Sequence, residues 1–250
     1  MKKKTIYIII SILTVFSIIA YYLIMEMFAA PLYNPGDLTK KTEYSHLLDE
    51  ANKKDIANFF TLNNGISLHY FTKGEGKPIL IVHGGPGIPN QTAWKGLDSL
   101  TKDYKFYYYD QRGCGKSTRL YNTFESDNFY QNMLKLNINL GLPAQIADIE
   151  QIRRKIGVEK LTIIGHSFGG FIASLYAIEF PDKVEKLILT APADVVKLPS
   201  ETGGLYGAIE KRLPADKLKE YNSYLNEILN YDNIFEKPAA LILPTKVLPI

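Results

Sequence analysis

Gly165-His166-Ser167-Phe168-Gly169-Gly170 (GHSFGG) says more about the fold than any other run in this 250-residue chain. It is a G-x-S-x-G with a strand-like apolar run before it, Lys160–Gly165 (KLTIIG). After it, Phe168–Phe180 reads as a helix stopped by Pro181. A serine placed between a strand and a helix sits on so tight a turn that it takes strained φ/ψ. Glycines two before and two after keep side chains out of the crowded neighbourhood. The Ser167 hydroxyl then projects above the sheet, and the helix N-terminus behind it favours developing negative charge. Ser167 is the candidate nucleophile.

The flanking segments alternate in the same way. Val184–Thr190 reads as a further strand. Residues 143–156 form a helix with Pro143 at its first position, Ile146, Ile149, Ile152 and Ile156 on one stripe, and Gly157 ending it. Asp148 and Glu150 lie early in that helix, and Arg153, Arg154 and Lys155 late, as its dipole prefers. Pro78–Val82 (PILIV) is a continuous apolar run, expected of a strand buried on both faces, and Lys105–Tyr109 is another strand candidate. Asn58–Leu62 and Ser67–Thr72 flank Asn63-Asn64-Gly65, which suits a hairpin. Strands alternating with helices predict an α/β fold with a mainly parallel sheet. From Pro214 a second amphipathic helix runs through Leu218, Tyr221, Leu225, Ile228 and Leu229, so 191–250 reads as a helical insertion.

Two further motifs carry chemistry. His83-Gly84-Gly85-Pro86-Gly87 follows the buried strand directly. Tetrahedral intermediates of acyl transfer need N–H donors aimed at the oxyanion, and a glycine-rich loop brings bare backbone close to substrate. The donors expected are Gly85 N–H, with Gly84 as the neighbouring option, and Phe168 N–H just after the serine. Asp110-Gln111-Arg112-Gly113-Cys114-Gly115-Lys116-Ser117 contains Gly-Lys-Ser, but a phosphate-binding loop needs Gly five positions before Gly115. Asp110 stands there, so nucleotide binding is rejected in favour of a site-lining turn. His83, Asp110, Gln111 and Arg112 are the residues expected to line the site.

HGGPG, then DQRGCGKS, then the Asp148-Ile149-Glu150 helix, then GHSFGG, in that order, resemble the α/β-hydrolase fold, and specifically proline iminopeptidase-like serine peptidases. The resemblance covers residues 55–195. It implies Ser167 as nucleophile, Gly84 and Gly85 as the oxyanion loop, residues 51–190 as the N-terminal portion of the core, and 191–250 as a partial helical cap. It also implies a short peptide or other small acyl substrate, with neither metal nor organic cofactor. Members of that family remove an N-terminal residue, often proline, and cap carboxylates hold the free amine. Glu201, Glu210, Glu220 and Glu227 lie in the right region. Iminopeptidases often carry Trp where Phe168 stands, so esterase and epoxide-hydrolase specificities stay open.

In this fold the triad follows in chain order Ser, then Asp or Glu, then His. His46, His69, His83 and His166 all precede Ser167. Asp194, just past the strand ending at Thr190, is a candidate acid in hydrolases that place theirs there, whereas iminopeptidase-like members place it one strand later. The expectation is a truncated hydrolase of impaired activity, and a catalytically inactive binding module is the alternative.

Thr5–Ile24 holds twenty residues without a charge, long enough as a helix to span ~30 Å of hydrocarbon. Lys2, Lys3 and Lys4 precede it, so a membrane anchor over 1–25 is expected, with a juxtamembrane connector over 26–50 and the remainder outside the cytoplasm. A cleaved signal peptide, with secretion, is the competing reading. Those lysines account for the whole formal charge of +3, so no basic domain is left to suggest nucleic acid. One cysteine excludes an intramolecular disulfide framework and a Cys-based zinc site.

Overall fold

A computed structural model describes residues 14–22, 33–40, 42–49, 56–121, 123, 126–193 and 204–229. Its six strands are β1 (Phe59–Thr61), β2 (Ser67–Lys73), β3 (Lys77–Val82), β4 (Tyr104–Tyr109), β5 (Leu161–His166) and β6 (Val184–Thr190). They form one sheet in the order β1-β2-β4-β3-β5-β6. β1 and β2 enter as the antiparallel hairpin expected around Asn63–Gly65, and β2 pairs antiparallel with β4. The pairs β4–β3, β3–β5 and β5–β6 are parallel, with Val82 opposite Gly165 and His166 opposite Thr190.

The PILIV run is buried on both faces, because successive side chains of a strand point to opposite sides of the sheet. Leu80 and Val82 join Leu68, Tyr109 and Ile163 beneath the helices, while Ile79 and Ile81 join Phe106, Tyr108 and Ile164 on the other face, against Trp94 and Leu97. Three helices matter for the site. Phe129–Leu140 starts at Asn128, whose side chain accepts the Gln131 N–H. Leu142–Ile156 is the helix expected from the isoleucine stripe, ended by Gly157 in the left-handed region. Phe168–Glu179, the elbow helix, packs on β3, β5, β6 and the Leu142–Ile156 helix.

The segment read from sequence as a connector is folded against this core where it is described. Asp37–Lys40 and Thr42–Ser45 are short helical turns, and Tyr33, Leu38 and Leu47 are buried in the main apolar cluster. Glu179, at the end of the elbow helix, accepts N–H bonds from Gly36 and Thr39 (3.1 Å) and the Thr39 hydroxyl (2.9 Å). Gln151 Nε2 donates to Leu47 O, and Arg154 Nη1 to Leu48 O at 2.8 Å. A buried carboxylate with three donors is strongly anchored, since hydrogen bonds to charged groups are each worth about 1.5–3 kcal/mol. Glu179→Ala is expected to lower the unfolding free energy by about 2–3 kcal/mol, read from the urea midpoint. An unchanged midpoint would show that this tether contributes nothing.

Of the span expected at Thr5–Ile24, residues 14–22 are described; they are helical and exposed, and the rest lies outside the described residues. Among the described residues no helix is long and apolar enough to cross a membrane. The chain divides into two compact units, Met1–Val195 and Val196–Ile250. In the second, the described elements are the helices Gly204–Glu210 and Ala215–Leu229, the latter beginning one residue after Pro214.

Candidate active site

The parallel strands β3 and β5 end side by side, and each ends in a motif. Ser167 follows β5 immediately with φ 52° and ψ −123°, a left-handed conformation that costs a non-glycine residue energy. The turn is tied down by its own backbone. Ser167 N–H donates to Thr190 O at 3.1 Å, and Ser167 O accepts from Gly170 N–H (2.9 Å) and Ala193 N–H (2.9 Å). Gly169 has no room for a side chain, because a Cβ there would lie 2.1 Å from Val82 O and 2.4 Å from His83 O. The elbow helix therefore starts hard against the end of β3.

That approach brings the glycine-rich loop after β3 onto the serine. A Cβ on Gly84 would lie 2.8 Å from Ser167 Cβ and 3.3 Å from its Oγ, so bare backbone faces the hydroxyl. The first N–H groups of a helix have no intrahelical partner. Phe168 N–H, at the first position of the elbow helix, is thus a donor beside Ser167. Among the described residues neither Phe168 N–H nor Gly85 N–H has an acceptor. Ser167, Phe168, Gly84 and Gly85, far apart in sequence, are brought together.

His83, Asp110, Gln111 and Arg112 are all buried, and their polar atoms are committed inside the protein. His83 Nδ1 lies 2.9 Å from Gly84 O, and Nε2 accepts the Gln111 N–H at 3.0 Å. Burial lowers the His83 pKa from 6.5, outweighing the Gly84 carbonyl and Asp110, which favour the cation. Asp110 accepts the Lys116 N–H (2.9 Å) and faces His69 Nδ1 (3.1 Å), while Ser117 Oγ donates to Asp110 O (2.6 Å). The Gly-Lys-Ser run thus closes back on Asp110. Cys114 is buried beside this turn, and burial pushes its thiol up to about 11, so it is no nucleophile at neutral pH.

Arg112 lies under the same turn. Its Nε donates to Asp148 Oδ2 at 2.7 Å, its Nη2 to Asp148 Oδ1, and its Nη1 to Asn139 O at 2.9 Å. Burial works against the Arg112 charge, but the adjoining Asp148 carboxylate more than offsets it and raises the guanidinium pKa. Glu150, one turn boundary further, binds Arg153, Arg154 and the Tyr176 hydroxyl. Both carboxylates are structural cross-braces; the helix begins at Leu142, so neither lies in its first turn, and the dipole role expected from sequence is not theirs.

The remaining histidines are accounted for in other ways. His166 Nδ1 faces Thr190 O at 3.1 Å, and its ring meets Trp94 edge-on at 5.8 Å. Trp94, which sequence reasoning passed over, donates its indole N–H to Asn90 Oδ1 at 2.7 Å. His46 lies in the N-terminal segment, where its carbonyl accepts from Asn63 Nδ2. Among the described residues no hydrogen-bond partner reaches Ser167 Oγ. Asp194 and Glu201 lie outside the described residues, Glu210 and Glu220 are exposed on the helices of the second unit, and Glu227 lies on its longer helix.

A strand-ended serine elbow beside a glycine-rich loop, on a sheet of this order, defines an α/β hydrolase. The alpha/beta hydrolase fold family profile matches residues 77–233, more than half of the chain, and the chain belongs to that family. Among its relatives is the proline iminopeptidase of Heyndrickxia coagulans, 32% identical over 121 residues, or 48% of this chain and 36% of that protein. The proline iminopeptidase of Neisseria meningitidis serogroup B is 29% identical over 136 residues, 52% of this chain and 39% of that one. The crystal structure of a proline iminopeptidase from Mycobacterium smegmatis superposes with a TM-score of 0.51 at 19% identity, covering 69% of this chain and 56% of that one. The chain therefore spans between about a third and a little over half the length of these proteins.

Proposed function

We propose that this chain is a serine hydrolase of proline iminopeptidase type, which releases an N-terminal residue from short peptides through an acyl-enzyme on Ser167. The observation that carries the reading is the meeting of Gly84 with the Ser167 side chain, 83 residues apart in sequence, at the N-terminus of the elbow helix. Ser167 Oγ attacks the scissile carbonyl and forms a bond to its carbon. The oxyanion is held by Gly85 and Phe168 N–H. As it collapses the scissile C–N bond breaks, and the amine leaves with the proton given up by Ser167 Oγ, carried by solvent. Water then hydrolyses the ester, releasing the free amino acid and returning a proton to Oγ. The relatives named proline iminopeptidase supply the substrate class.

A second reading is favoured by one specific observation. The four histidines all precede Ser167, and none hydrogen-bonds its Oγ, so a hydroxyl without a general base is a weak nucleophile. On that reading the chain binds acyl compounds without turnover. Hydrolysis of a prolyl arylamide by the full chain, compared with a p-nitrophenyl ester and an aryl epoxide, separates the cases. Release from the prolyl arylamide above that from other aminoacyl arylamides is expected. Turnover of the ester or epoxide alone would overturn the peptidase specificity, and binding without turnover of any of them would favour the second reading.

A further inference from the structure

The loop that meets Ser167 contains two successive glycines, Gly84 and Gly85, the second with φ 119°. Glycines restrain the peptide between them least of all residues, so its plane can turn over at little cost. In one orientation Gly85 N–H is presented as a donor; in the other, Gly84 O takes its place and repels an oxyanion. A group other than the two glycines has to choose between them.

His83 makes that choice through its proton. Gln111 N–H can only donate, so His83 Nε2, 3.0 Å away, is unprotonated and the ring hydrogen sits on Nδ1. Nδ1–H therefore donates to Gly84 O at 2.9 Å, and the same oxygen accepts the Ile88 N–H at 3.4 Å. The Gln111 side chain closes the clamp, donating from Nε2 to His83 O at 2.8 Å. In a trans peptide C=O and N–H point in opposite directions. Holding Gly84 O on the imidazole thus turns Gly85 N–H away from it.

We propose that His83, with its tautomer fixed by Gln111, is the positioning residue of the oxyanion hole, holding the Gly84–Gly85 peptide in its donor orientation. The DQRGCGKS turn after β4 accordingly acts on the reaction without touching substrate. This inference rests on the reading of Ser167 as an acyl-transfer nucleophile. It adds that the geometry around the nucleophile is set from the opposite side of the loop.

The test is the kinetics of fluorophosphonate labelling by the full chain, resolved into the affinity constant KI and the maximal rate kinact, for wild type, Ser167→Ala, His83→Ala, His83→Asn and His83→Gln. Loss of one oxyanion donor costs about 10²–10³ in rate. His83→Ala is expected to lower kinact by about that factor with KI unchanged. His83→Asn, whose side-chain N–H stands where Nδ1–H stood, is expected to recover most of the loss, and His83→Gln, whose N–H reaches further, is not. Wild-type kinact in His83→Ala, or equal rates in the Asn and Gln variants, would overturn the proposal while Ser167-dependent labelling of wild type keeps the hydrolase reading. Absence of labelling in folded wild type would overturn both. If His83→Ala does not fold, the comparison of Asn with Gln decides alone.

Discussion

Ser167→Ala is expected to abolish fluorophosphonate labelling while leaving the fold intact. Alanine keeps the Cβ, so the strained backbone at φ 52° is no worse accommodated than in the native chain, and only the attacking oxygen is lost. Nearby hydroxyls cannot substitute. Ser117 Oγ is buried and donates to Asp110 O at 2.6 Å, and Ser174 Oγ is engaged by Gly170 O at 2.8 Å. Labelling of wild type itself is expected to be slow, because no imidazole contacts Ser167 Oγ among the described residues. Intact-mass measurement gives one probe per wild-type chain and none on the alanine variant. Equal modification of both would assign the reactivity elsewhere and remove Ser167 from the mechanism.

The greatest loss of stability is expected from Asp148→Ala. Both partners of the Arg112–Asp148 pair are almost wholly buried, at 3% and 0% side-chain exposure. Deleting the carboxylate leaves a guanidinium in the interior whose one remaining hydrogen-bond acceptor among the described residues is the Asn139 carbonyl. Breaking a buried pair in this way costs about 3–5 kcal/mol, a large part of the 5–15 kcal/mol that holds a typical domain together. The double variant Arg112→Met/Asp148→Leu removes both charges and is expected to regain much of the loss, because the desolvation penalty goes with them. Urea titration of the four proteins checks both statements. A single-variant loss below about 1 kcal/mol would show that the pair is not the brace its geometry suggests.

Much of this architecture is legible in the residues themselves. PILIV, KLTIIG and the isoleucine stripe of 143–156 each follow from a period, and GHSFGG follows from the need for glycine on both sides of a strained serine. What period cannot show is which ends meet. The contact of Gly84 with Ser167 depends on β3 and β5 being neighbours in register, which is a property of the sheet. The Phe129–Leu140 helix is not among the elements read from sequence, although Phe129, Met133, Leu136 and Leu140 keep helical spacing; none of residues 131–140 is fully buried, and Met133 and Leu134 are exposed. Asp148 was readable as a dipole partner, but it stands among Ala144, Ala147 and Ile152, all fully buried. A charge in so apolar a setting is a signal that an opposite charge must come from elsewhere in the fold. Arg112 supplies it.

The docking of residues 33–48 also sets where the molecule can be cut. A fragment beginning at residue 51 keeps β1–β6 and the serine elbow, yet strips Tyr33, Leu38 and Leu47 from the interior and leaves Glu179 without its three donors. The practical boundary for a working fragment therefore lies ahead of Tyr33. By the same contacts, cleavage ahead of Tyr33 leaves the packing of this segment intact, while a cut after it exposes apolar surface and invites aggregation.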